Sequence, residues 1–153
     1  SQGNLNFMRL SGIVHSIGNM DYIPPARYPE DLAHISPEQM AELVRNLASG
    51  SGYEIIILDV GNYGHQAAPI LSACQIVYMP VKEDGISSAK IREFEEYMER
   101  TGNSGGLDKI KKLRLPYHRG FGRKENYIEQ LLWSELGDYV RKLLRGGREE
   151  MDF

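Results

Sequence analysis

The chain has 153 residues, 41% of them hydrophobic and 25% charged, with a net charge of −3. This is the profile of one soluble globular domain able to bury a core, and it demands neither a nucleic-acid nor a membrane partner. No apolar run approaches the roughly 18 residues that span a bilayer, and a lone cysteine, Cys74, excludes an internal disulfide framework and suits a reducing cytoplasm.

Ser1-Gln2-Gly3-Asn4 carries no initiator Met and reads as the boundary of a fragment of something longer. Residues 1–19 receive no element. Met20-Asp21-Tyr22-Ile23-Pro24 predicts a short strand closed by Pro24-Pro25. Ser36-Pro37-Glu38-Gln39 opens a helix, with Ser36 as N-cap, Pro37 at the first position and Gln39 three after the cap. Met40, Leu43, Val44 and Leu47 give that helix one apolar face, and Gly50 ends it.

Tyr53-Glu54-Ile55-Ile56-Ile57-Leu58-Asp59 follows. Four consecutive apolar residues cannot alternate faces, so this strand is expected to be buried on both, as at the centre of a parallel sheet. Asp59, before Val60-Gly61-Asn62, then stands at the carboxyl edge, where open α/β folds hold their ligands. A short helix from about His65 to Ala73 comes next, then the apolar strand Gln75–Val81 and a polar loop over Lys82–Ser87. Ile91, Phe94 and Met98 line a helix ending near Gly102, and Ile110–Leu115 is a third strand. Lys112 and Arg114 give that strand a polar face, which places it toward the sheet edge. After a Gly120-Phe121-Gly122 loop, Glu125–Leu144 predicts one long helix with Leu131, Leu132, Leu136, Tyr139, Val140 and Leu143 inward. Alternating strands and helices predict a three-layer α/β domain over residues 20–148, its mostly parallel sheet covered by helices on both faces, with an acidic tail at 149–153.

Tyr53 to Asn62, followed by Ala73-Cys74-Gln75-Ile76-Val77-Tyr78-Met79-Pro80-Val81-Lys82-Glu83-Asp84-Gly85, resembles the second half of the MinD/ParA family of deviant Walker P-loop ATPases. The CpaE/TadZ-like branch of bacterial pilus-assembly loci is the nearest variety, with Trp133–Val140 similar to its closing helix. Met20 to Arg27 and Pro29-Glu30-Asp31-Leu32 resemble the strand and loop before the Asp59 strand. The resemblance implies that Asp59 ends a Walker B strand and faces the Mg²⁺ of bound ATP through a water, only when nucleotide is present. It implies that Gly61, Asn62 and Gly64 form a phosphate-sensing loop, and that Pro80, Lys82, Glu83 and Asp84 lie on the base side. It also implies a cytoplasmic role in positioning or assembling a cellular machine, through a homodimer and protein partners.

The family's Walker A motif, with its Gly-Lys-Ser/Thr ending, does not occur in these 153 residues, so no ATP or Mg²⁺ is expected to bind this chain alone. Leu115-Pro116-Tyr117-His118 stands where many relatives carry an adenine-reading Asn. With a neighbouring strand missing, the Asp59 strand would expose unpaired backbone and apolar surface. Self-association, or recruitment of residues 5–15 into the gap, follows as an expectation.

Each assignment has a plainer counterpart. Asp59 is equally read as a strand-end carboxylate capping the turn at Gly61, the Gly61-Asn62 pair as an ordinary turn, and Lys82, Glu83 and Asp84 as solvated loop charges. A degenerate scaffold or dimerisation module is the alternative function, and a receiver domain with Asp59 as phosphoacceptor is a third. Lys109, Lys111, Lys112, Arg114, Arg119, Arg123 and Lys124 make 108–124 basic, which allows DNA contact, but a solvated edge-strand face is the favoured reading because no aromatic interleaving or reading helix accompanies it. Arg141, Lys142 and Arg145 resemble MinD's membrane-binding tail, yet Glu149, Glu150 and Asp152 would repel anionic lipid. His15, His34, His65 and His118 lack the i, i+4 spacing of a helical metal pair. Cys74, among apolar neighbours, is expected to be a small buried hydrophobe rather than a nucleophile.

Overall fold

A computed structural model describes residues 12–25, 35–61, 67–82, 84–116 and 126–149. Expectations at 5–11, 26–34, 62–66, 83, 117–125 and 150–153 fall outside the described residues, the site residues Asn62 and Glu83 among them. The described chain is mixed α/β, mostly helical, with two two-stranded sheets. It divides into two compact units, one taking the chain to Val77 and Lys90–Ile110, the other Tyr78–Ala89 and Lys111 onward.

In the first unit, β1 (His15–Ile17) and β2 (Met20–Tyr22) form an antiparallel hairpin with Ile17 opposite Met20. The two-residue turn is Gly18-Asn19, and Gly18 has φ +59°, a left-handed conformation that a side chain disfavours. Only the second strand was expected. Across the hairpin, the Ser16 hydroxyl donates to Asp21 (2.5 Å), and the Tyr53 hydroxyl donates to the other Asp21 oxygen (2.6 Å).

Helix α1 (Pro37–Gly50) begins as its sequence dictates. Ser36 Oγ accepts the Gln39 N–H at 3.2 Å, and Gln39 Oε1 accepts the Ser36 N–H at 2.9 Å. This reciprocal box satisfies two donors the first helical turn would leave open. On the expected face Val44 is buried and Met40, Leu43 and Leu47 are half-buried, and Ala41 beside it is buried as well. The left-handed residue after the helix is Gly52 (φ +75°), not Gly50, which stays helical.

Helix α1 packs on α2 (Ala68–Ala73), and α2 meets a 3₁₀ turn at Ser104–Lys109. Ala67, Ala68, Ile70, Leu71 and Met98 are buried, with Met98 at 0% exposure the largest fully enclosed side chain among the described residues. Gly106 lies against Met98: a Cβ there would come 3.0 Å from its ε-methyl and 3.6 Å from Ser72 Oγ. The Lys109 ammonium donates to the Ser72 carbonyl at 2.7 Å, a cation placed on the end of α2.

Helix α3 (Gly85–Arg100) carries Ile91, Phe94 and Met98 on its covered side, as expected, and the boundary between units falls within it. Its C-terminus closes as a Schellman turn. Asn103 N–H bonds the Met98 carbonyl (2.9 Å), Gly102 N–H bonds that of Glu99 (3.2 Å), and Gly102 has φ +74°.

In the second unit, β3 (Val77–Pro80) pairs with β4 (Ile110–Leu113). The Val81 N–H donates to the Leu113 carbonyl (2.9 Å) at the carboxyl ends of both strands, so the pair runs parallel. Lys112 is exposed and Leu113 buried, as expected, but the strand ends at Leu113 and Leu115, expected on the covered face, is exposed.

The expected single helix at 125–144 is two: α4 (Tyr127–Leu132) and α5 (Glu135–Glu149). Ser134 breaks it. Its Oγ donates to the Leu131 carbonyl (2.7 Å) and accepts the Gly137 N–H (3.2 Å), capping the second helix. Arg141 locks the corner, donating to the Leu132 carbonyl and to Asp138, both at 2.6 Å, with its guanidinium 5.7 Å from the Trp133 ring centre. Of the residues expected inward, Leu131, Leu136, Tyr139 and Leu143 are half-buried, whereas Leu132 and Val140 are exposed because the corner turns their faces outward.

Candidate functional site

The segment expected to be the central strand is not one. Residues 53–61 form no strand, and Ile55 and Ile57 are 67% and 83% exposed instead of buried on both faces. A strand needs a hydrogen-bonded neighbour, and no described residue bonds the backbone of residues 54–58. What persists is period-two burial: Ile56, Leu58 and Val60 are half-covered, whereas Ile55, Ile57 and Asp59 are exposed. That is the side-chain alternation of extended chain with one covered face.

The start of the segment is tied to the hairpin, and its end closes in a local turn. At the start, the Tyr53 N–H donates to Ser51 Oγ (3.3 Å) and its hydroxyl holds Asp21. At the end, Asp59 Oδ1 accepts the Gly61 N–H at 3.2 Å, and Gly61 turns with φ +57°. This is an Asx turn, the geometry of the plainer reading of Asp59.

Hydrogen bonds from Ser16 and from Tyr53 hold the Asp21 carboxyl below its usual range, while the carboxylate it faces pushes the Tyr53 phenol up. Asp21 therefore contributes most above the ordinary carboxylate pKa of about 3.9 and loses that contribution as pH falls through its lowered value. Tyr53 contributes below the ordinary phenol pKa of about 10 and loses it as pH rises through its raised value. The tie is thus expected to hold between these limits and loosen beyond either. Ultraviolet titration of tyrosinate checks it: Tyr53→Phe should remove a phenol that titrates above the ordinary range, and an unchanged alkaline limb would contradict the contact.

The residues expected on the base side lie in the second unit. Pro80 ends β3 and Lys82 is exposed. Asp84 caps α3: its Oδ1 accepts the Ser87 N–H (2.6 Å) and its Oδ2 accepts the Ser87 hydroxyl (3.0 Å). Those two bonds, with a smaller pull from Lys82, hold its carboxyl below the ordinary range. Asp84 is therefore occupied with the fold. The signal was present, since an Asp three residues before Ser at the head of a periodic segment is a helix start.

Cys74 is half-buried, donates to the Ile70 carbonyl (3.4 Å), and has its thiol pushed up by burial, with Lys109 opposing. Among the described residues no three His, Cys, Asp or Glu side chains converge as metal ligands, and no helix is long and apolar enough to cross a membrane. Mg²⁺ asks for near-octahedral oxygen ligation, most of it from phosphates and water when one carboxylate serves. Asp59 supplies one carboxylate, which already accepts the Gly61 N–H. Comparison with protein families, with curated proteins and with solved structures finds no match to this chain.

Proposed function

We propose that this chain acts through protein–protein association, as a portion of a MinD/ParA-like, three-layer α/β protein of the CpaE/TadZ kind that positions or assembles a cellular machine. On this reading Tyr53–Asp59 becomes a paired strand only when a neighbour lies beside it, and ATP and Mg²⁺ bind only where a phosphate loop is also present. One observation carries the association: a segment tied to the hairpin at Tyr53 that exposes Ile55 and Ile57 and leaves its backbone without described partners. Such an edge is a template for another chain. The mixed α/β content and the parallel β3–β4 pair are compatible with the proposed architecture.

A nucleotide switch draws its affinity from backbone amides and a lysine around the β- and γ-phosphates. Titration of the chain with a fluorescent ATP analogue and Mg²⁺ is therefore expected to give no saturable signal up to about 1 mM, a free energy weaker than about −4 kcal/mol. Saturation in the micromolar range would refute the reading and restore the ATPase one. Stoichiometric labelling of Asp59 by acetyl phosphate would instead favour a receiver domain.

A further inference from the structure

We infer that Asp84-Gly85 is a site of spontaneous isoaspartate formation, held in check by the two hydrogen bonds that Ser87 donates to Asp84. The inference is independent of the association reading above.

Asp84-Gly85 is the chain's sole Asp-Gly or Asn-Gly pair. In such a pair the Gly amide nitrogen carries no hindering side chain beside it and can reach the carboxyl of the preceding residue. Nothing in the local fold calls for glycine here. A Cβ at Gly85 would meet nothing within 4 Å, and its φ is not positive. The first helical position is better filled by Pro or a strong helix former.

The start of α3 restrains the reaction. Asp84 Oδ1 accepts the Ser87 N–H at 2.6 Å and Oδ2 accepts the Ser87 hydroxyl at 3.0 Å. These bonds fix the carboxyl at Ser87 and keep it ionised, a poor acceptor for an amide nitrogen. The Asp84 carbonyl accepts the Ser88 N–H at 3.0 Å, which holds the adjoining peptide as well. Both restraints depend on one turn in which Gly85, Ile86 and Ser88 are exposed, so little apolar burial opposes its opening.

Once the turn opens and the carboxyl takes up a proton, the Gly85 nitrogen attacks Asp84 Cγ. The N–Cγ bond forms, a Cγ–O bond breaks, and the amide proton leaves with the hydroxyl as water. Water then adds to the Asp84 α-carbonyl carbon, and the bond from that carbon to the Gly85 nitrogen breaks. The product has a free α-carboxylate and a main chain running through Cγ. One water leaves and one enters, so composition is unchanged and nothing is oxidised or reduced. The carboxyl that capped α3 becomes a main-chain carbonyl, so the rearrangement removes the helix start that had restrained it.

Ageing the chain at neutral pH and physiological temperature, folded and in urea, tests this. Isoaspartate is counted by methyl transfer from S-adenosylmethionine with an isoaspartyl methyltransferase, and located by electron-transfer fragmentation of the peptide containing residue 84. It should accumulate at residue 84 in urea, and several times more slowly in the folded wild type. Ser87→Ala, which deletes the hydroxyl bond, is expected to raise the folded rate about fivefold, the added opening that a weakened cap allows. Gly85→Ala should suppress the product in urea and in the Ser87→Ala background alike, since its methyl hinders the nitrogen and meets no neighbour. No isoaspartate at residue 84 in urea would overturn the site. A Ser87→Ala chain that ages at the wild-type rate would overturn its control by the cap.

Discussion

Gly137→Ala is expected to destabilise the second unit by about 2–3 kcal/mol, the range of overpacked sites. A Cβ at this position would collide with the Leu132 carbonyl oxygen and come within 2.6 Å of the Leu131 carbonyl oxygen. Both are backbone atoms, so relief requires moving the α4–α5 corner, which Ser134 and Arg141 hold by hydrogen bonds. Intrinsic propensity pulls the other way, since Ala in a helix interior is better than Gly by roughly 0.5–1 kcal/mol. Gly146, on the same helix, isolates that gain, because a Cβ there would meet nothing within 4 Å. Gly146→Ala should stabilise while Gly137→Ala destabilises, read as opposite shifts of the urea midpoint. Shifts of the same sign would mean that the two helices do not meet as described.

Met98→Ala is expected to cost about 2–5 kcal/mol, the range for truncating a buried Met. Its side chain is fully enclosed in the first unit, where the other buried hydrophobic residues among those described are Ala41, Val44, Ala67, Ala68, Ile70 and Leu71. With so few enclosed side chains, one cavity removes a large share of the core. Gly106→Ala alone should cost little, because the group it meets at 3.0 Å is the mobile end of Met98. The double variant should cost less than the sum of the two, since the new methyl enters space that Met98 vacates. Urea melts of the four proteins measure this coupling, and strict additivity would contradict the contact.

Local chemistry was legible in the sequence. The Ser36–Gln39 box, the face of Met40, Leu43 and Val44, and the Ile91, Phe94 and Met98 stripe depend on residues within a turn or two of each other. The break at Ser134 was obscured because the apolar period runs on from Leu131 and Leu132 into Leu136 and Tyr139; Ser134 with Gly137 three residues later was the available signal. The β1–β2 hairpin was signalled by Gly18-Asn19 between Ile17 and Met20. Tyr53–Asp59 failed as a strand for a different reason. Apolar composition states that a segment would pair, whereas strand formation needs a neighbour that composition does not supply. The same holds for the candidate site. The turn of Asp59 at Gly61 and the helix start of Asp84 before Ser87 were locally readable, whereas what lies beside the apolar run was not.

Association by protein contact, independent of nucleotide, is tested most directly by sedimentation equilibrium over a hundredfold range of concentration, with and without Mg·ATP. The mass is expected to rise from 17.4 kDa toward twice that value along one curve in both conditions. A constant 17.4 kDa species, or association seen only with Mg·ATP, would contradict it.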